Sequence, residues 1–265
     1  MMFNVREATF VGIDLAWRDG KKPSGIAVLR GDRQRAQLLD VTVLSFADVL
    51  TRVERHTVGT TVVAIDAPLI ICNEFGQRPC ETLISRKYGA QHAACHSSNL
   101  NLYPDAASVR LAGHLESLGF RHAPGLDHLE DGRAMLEVYP HPALLELFRL
   151  PYIIKYKKGN VRQRRLGQQE LQRRLKKLSE FSPPLESTPK LSTHLGIETD
   201  LLGGVALKNN EDQLDAIVCA YIAYYYWFWG SANTLLFGDL ESGYVVVPTL
   251  SDGAPGIVKL APKAV

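Results

Sequence analysis

Only four cysteines occur in 265 residues, Cys72, Cys80, Cys95 and Cys219. They are too few and too scattered to staple a chain of this length, which excludes a disulfide scaffold and makes a reducing, cytoplasmic setting the expectation. Long apolar runs are also missing. The longest, Ala216 to Trp229, has 14 residues, short of the ~18–20 that cross a bilayer, so it reads as a buried helix and no membrane partner is expected. The opening MMFNVREATFVGIDLAW lacks the basic, apolar, small-residue order of a secretory signal. Neither sign of charge dominates: 30 Lys and Arg stand against 28 Asp and Glu. The whole-molecule field therefore names no partner, and a case for nucleic acid has to rest on local charge. Repeats and low-complexity segments are absent. With 46% hydrophobic residues the chain can fill a core, and its length suits a single domain over 1–265 that carries insertions.

What is present is a series of short apolar runs. Ala8 to Leu15, Gly25 to Leu29 and Gln37 to Leu44 read as three strands, the first two separated by a polar turn over Arg18 to Ser24. Their spacing suggests an antiparallel meander. Ser45 is a plausible N-cap for a helix whose Phe46, Val49, Leu50 and Val53 share one face. Thr61 to Ile65 is continuously apolar and ends at Asp66-Ala67-Pro68, as a central parallel strand would. The order β-β-β-α-β opens an RNase H-like α/β fold, a mixed five-stranded sheet flanked by helices, with the fourth strand parallel to the first. Insertions are expected at about 70–133 and 150–208. Ala134 to Tyr139 reads as the fifth strand, Pro142 to Leu150 as a short helix, Val161 to Phe181 as a basic helix and Glu211 to Trp229 as an apolar helix behind an Asn209-Asn210 cap. Tyr244 to Val247 is a candidate edge strand.

The chemistry lies in acids at the ends of these runs. Asp14 follows FVGI and Asp66 follows VVAI, so both stand at C-terminal ends of strands predicted to be neighbours, where open α/β sheets place ligands. Two carboxylates a few ångströms apart repel unless a cation holds them, and Mg²⁺ or Mn²⁺ does so with oxygen ligands. Each aspartate alone could equally cap a turn. Asp212 and Asp215 are three apart and share a helical face. In a helix starting at Glu211 they could simply complement its dipole, but Asp215 abuts the apolar Ala216-Ile217-Val218 and so needs a partner. Glu137 stands inside an apolar strand, where unpaired burial is costly.

Five pieces together resemble a family of predicted nucleases known as domain of unknown function 429, a branch of the RNase H-like superfamily. They are Gly-Ile-Asp-Leu-Ala-Trp (12–17), Ala-Ile-Asp-Ala-Pro-Leu (64–69), Arg78 with Pro79-Cys80-Glu81, Glu-Val-Tyr-Pro-His-Pro-Ala (137–143), and Asp212-x-x-Asp215 followed by Ala-Ile-Val-Cys-Ala. The last also resembles the final helix of bacterial Holliday-junction resolvases. The resemblance implies the fold, the metal ligands Asp14, Asp66, Asp212 and Asp215, and Glu137 as a further acid of the pattern. It implies no substrate. Asp48 and Glu54, on the first helix, lie in an ordinary amphipathic pattern and do not take the role of the glutamate that RNase H enzymes carry there.

Ten Lys or Arg between Lys155 and Lys177 face one acid, Glu170, a concentration suited to a phosphate backbone or to a solvated helix face. The phosphate-binding candidates are Arg78, Arg86, Lys87, Lys155, Lys157, Lys158, Arg162, Arg164 and Arg165. Cys72, Cys80, His92, Cys95 and His96 lack the paired spacing of a zinc site. The aromatic run Tyr224 to Trp229 suits a core, or the interface of a homodimer. The expectation is a nuclease that hydrolyses DNA or RNA with Mg²⁺ or Mn²⁺ on Asp14, Asp66 and Asp215, with Glu137 beside them. Two alternatives stay open. One is an ATPase or phosphotransferase of actin-like ancestry, although LAWRDGKKPSG after Asp14 contains no Gly-rich phosphate loop. The other is a catalytically silent nucleic-acid-binding or assembly module.

Overall fold

The computed structural model describes residues 7–17, 22–250 and 256–258. Residues 1–6 of the opening segment and 18–21 of the expected polar turn lie outside the described residues.

The opening meander is β1 (Ala8–Asp14), β2 (Ser24–Gly31) and β3 (Ala36–Leu44), each antiparallel to the one before. Helix α1 (Phe46–His56) follows, and its first turn is held by the Ser45 hydroxyl accepting from the Asp48 N–H. Strand β4 (Thr61–Ile65) then returns parallel to β1, pairing Ile13 with Ile65. After α2 (Pro79–Tyr88) and α3 (Ala107–Ser117) come the two-residue β5 (Arg121–His122) and β6 (Arg133–Glu137), which pairs in parallel with both β4 and β5. The sheet order is β3-β2-β1-β4-β6-β5. This is the expected mixed α/β sheet with a sixth strand, β5, added at one edge. Helices α4 (Pro140–Phe148), α5 (Val161–Lys176), α6 (Pro189–His194) and α7 (Gly204–Trp229) complete the layers.

Strand alternation divides the core in two. Phe10, Ala27, Val62, Ala64 and Leu136 point to the face covered by α7, whereas Val11, Ile13, Val63, Ile65 and Met135 pack with Val49 of α1 and Leu111 of α3 on the other. The aromatic end of α7 is core: Tyr221, Tyr224, Tyr225, Tyr226 and Trp227 are buried. Their polar tips are satisfied internally, Tyr225 donating to the Thr249 carbonyl and the Trp227 indole to that of Glu130.

Three expectations change. Helix α7 begins at Gly204, two turns before Glu211, so Asp212 and Asp215 lie well inside it and the dipole explanation for them falls. Strand β8 (Gly243–Pro248), expected as an edge, is one, but of a second sheet ordered β8-β7-β9 with β7 (Thr234–Asp239) and β9 (Gly256–Val258). The basic helix stops at Lys176 and continues as a tighter 3₁₀ turn to Glu180. No described helix is long and apolar enough to cross a membrane.

Candidate metal centre

The parallel register of β1 and β4 sets Asp14 and Asp66 side by side. Asp14 is the last residue of β1, and the Asp66 N–H extends the ladder by donating to the Ile13 carbonyl at 2.9 Å. Both positions continue the alternation of Gly12 and Ala64, so both face α7. Two glycines let that helix come close. A Cβ on Gly12 would overlap the backbone of Ala216 and Ala220, and one on Gly25, which pairs with Asp14 across β1 and β2, would overlap the Asp212 carbonyl. The close approach brings the third acid into place. Asp14, Asp66 and Asp215 each offer a carboxylate oxygen within 4.8 Å of the others.

These side chains sit deep, 13%, 11% and 0% exposed respectively. Among them stands the ammonium of Lys157, 2.5 Å from Asp215 Oδ2, 3.5 Å from Asp66 and 3.7 Å from Asp14. The Tyr156 hydroxyl donates to the other Asp215 oxygen at 2.5 Å. Burial, opposed by Lys157 and reinforced by Asp14, pushes the carboxyls of Asp66 and Asp215 up to about 7. Burial alone would lower Lys157, but Asp14, Asp215 and Asp66 outweigh it and hold the ammonium well above its usual range.

Asp212, one turn back, adjoins the triad without being part of it. It accepts from Lys208 at 2.5 Å, and burial together with Asp14 pushes it up to about 7. Glu137 ends β6 opposite Ile65 and therefore takes the face away from α7. Both of its oxygens accept from Arg78, at 2.9 and 2.5 Å, and one also accepts the Leu69 N–H at 2.9 Å. Arg78 further donates to Glu81 and to the Ile70 carbonyl, each at 2.9 Å, and is only 2% exposed. This is a buried ion network that ties α2 to β6. Its guanidinium is committed to carboxylates and is not offered to a phosphate.

The other basic candidates separate by their partners. Arg164 pairs with Glu211 at 3.0 Å, Arg165 donates to the Leu202 carbonyl at 2.9 Å, and Lys87 stands 3.7 Å from Glu146. Arg86, Lys155, Lys158 and Arg162 are exposed. The zinc reading finds no support: Cys72 is exposed, burial pushes the Cys80 thiol up to about 12, and the aspartate triad is the only such cluster of potential ligands among the described residues.

A recess of about 230 Å³ opens beside the triad, with Trp17, Tyr139, His141 and Lys158 in its walls. A second cavity of about 550 Å³ shares Cys95, His96 and Lys158 with it and adds Lys155, His92 and Gln163. His141 and Tyr156 are contributions that the residue patterns did not single out. His141 lay inside the quoted Pro-His-Pro motif; Tyr156, in an irregular segment, carried no signal.

A family model described as "Protein of unknown function (DUF429)" matches residues 12–239. No curated protein and no solved structure gives a match.

Proposed function

The chain belongs to the DUF429 family, and from that premise we propose that it is a divalent-metal-dependent phosphodiester hydrolase of nucleic acid, DNA or RNA. The observation that carries this reading is a charge imbalance. Three gathered carboxylates face a single ammonium, that of Lys157. With all of them ionised, two negative charges lack a counterion in a recess that water screens poorly. Asp212, by contrast, is balanced locally, because Lys208 and Arg164 offset it and Glu211.

The donor set fits the ion. All three groups are hard oxygen ligands, as Mg²⁺ and Mn²⁺ prefer, and the cavity beside them leaves room for water and a phosphate. When bound, such an ion polarises a phosphoryl oxygen and makes a coordinated water acidic. The chain's own residues would do the rest. Asp14, Asp66 and Asp215 hold the ion, Tyr156 fixes the rotamer of Asp215 through its hydroxyl, and Lys155, Lys158 and Arg162 offer charge to the backbone on either side. Lys157 is the group with which the ion competes. A second reading, in which Lys157 is the permanent cation and the site is a structural knot, draws on its 2.5 Å contact with Asp215.

The test is cleavage of branched, single-stranded and RNA–DNA hybrid substrates in Mn²⁺ or Mg²⁺, beside an Asp14→Asn variant. The expected result is cleavage by the wild type and a loss of more than about 100-fold in the variant, beyond what removal of an outer-shell metal partner costs. Equal cleavage by both, or none by the wild type in either metal, overturns the proposal.

A further inference from the structure

We propose that the cleft takes an unpaired nucleotide, its base seated among the aromatic rings beside the triad and its backbone following the lysine-lined cavity. The substrate class would then be single strands and extruded nucleotides of DNA or RNA, not intact duplex. This deepens the phosphodiester-hydrolase reading and rests on it for the kind of ligand.

The size of the recess is the first support. At about 230 Å³ it falls below the roughly 300–1,000 Å³ of sites for drug-sized ligands, which suits one ring system and not a base pair. Its walls are the second. Trp17 is half-buried and fixed, its indole N–H donating to the Asp66 carbonyl at 3.1 Å and its ring meeting Tyr103 edge-on at 5.8 Å. Tyr139 is half-buried and lies edge-on to His141 at 5.7 Å. Each ring packs one side against the core while remaining in the wall of the recess, and rings held in this way are what base stacking needs.

His141 supplies a third, independent sign. It is 6% exposed, and its buried Nδ1 has no hydrogen-bond partner. A buried polar atom left unmet is costly for the protein, and His141 stands in the wall of the recess where the polar edge of a base would enter. The charge pattern agrees. Lys155 and Lys158 line the adjoining cavity and have no acidic partner among the described residues, as a backbone-tracking groove requires. The carboxylates of the triad are largely buried, a setting that favours an extruded nucleotide over an intact duplex, and leaving a stack is costly unless the base is already unpaired.

The experiment is anisotropy of labelled oligonucleotides with the full chain in Ca²⁺, an oxygen-seeking ion. The strands are a deoxy and a ribo single strand, the matching blunt duplexes, and a single strand with abasic positions. The better-bound single strand is expected to bind at least about ten-fold more tightly than its duplex. Tyr139→Ala and Trp17→Ala should each weaken that binding about ten-fold or more, the scale of one lost base–aromatic stack. Tyr139→Phe should keep wild-type affinity, and the abasic strand should bind the wild type as weakly as Tyr139→Ala binds the intact strand. If Trp17→Ala fails to fold, the Tyr139 pair carries the test. Equal affinity for strand and duplex, no binding of any oligonucleotide, or an unaffected Tyr139→Ala overturns the proposal. Because the readout is binding, a protein that prefers single strands but cleaves nothing sinks only the hydrolase reading. One that cleaves duplex without that preference sinks only this inference.

Discussion

At the scale of single residues, the charge state of the triad depends on what neutralises it. In the metal-free protein Asp66 and Asp215 are pushed up to about 7 by burial, against about 4 for an aspartate in an unfolded chain. Between those limits the folded state binds more protons than the unfolded one. The stability these groups contribute is therefore complete below pH ~4 and is lost as pH rises through about 7. His141 acts in the opposite sense. Burial, with Lys157 and Lys158 nearby, holds it down to about 3, so its contribution is lost as pH falls below the histidine range. The informative comparison is thus wild type against Asp66→Asn in chelator at pH 5.5 and 8. Melting of the wild type should fall relative to the variant at the higher pH, and a constant difference between the two proteins would contradict the assignment. Asp14, Asp66 and Asp215 could be picked out in the sequence because the first two stand at the ends of apolar runs and the third at the start of one. Lys157 was legible only as one basic residue among ten, since its place inside the triad comes from tertiary packing of the irregular segment before α5.

At the scale of elements, the site depends on how closely α7 lies on β1 and β2. Gly12 and Gly25 permit that approach, and any side chain at Gly12 meets backbone, which cannot rotate away. Overpacking of this kind costs about 1–3 kcal/mol. Gly12→Ala should fall at the upper end, read as a lower urea midpoint with unchanged slope; an unchanged midpoint would show that α7 can shift without loss. The strands that build the sheet were legible because β1, β2, β3, β4 and β6 are each an apolar run bounded by polar or turn residues. Strand β5 has only two residues and shows no period. Strand β7 follows α7 after a single 3₁₀ turn, Gly230–Asn233, and was not singled out in the sequence. The true start of α7 was hidden by Asn209-Asn210, which resembles a cap but lies inside the helix, where Asn210 donates to Gln168 at 2.8 Å. The Arg78–Glu137 pair shows the same limit. Both residues were visible as unusual, yet only the packing of α2 against β6 shows that they serve each other.

At the scale of the whole molecule, one sheet carries Asp14 and Asp66 at the C-terminal ends of β1 and β4, α7 brings Asp215 to them, and the connecting segments build the walls around the triad. The segment between β4 and β6 supplies Pro68, Cys95 and His96, and the stretch after α4 supplies Lys157 and Lys158 together with Tyr156, which holds Asp215. A site assembled from residue 14 to residue 215 closes only when the complete fold is in place, so metal binding and global stability should be coupled. The proposed activity requires the triad to accept a doubly charged ion in competition with Lys157. Calorimetric titration of Mn²⁺ at pH 8, where the carboxyls are ionised, tests that most directly with wild type, Asp215→Asn and Lys157→Met. Saturable binding is expected for the wild type, loss of it in Asp215→Asn, and binding at least as tight in Lys157→Met. No binding by the wild type at millimolar Mn²⁺, or undiminished binding by Asp215→Asn, would contradict it.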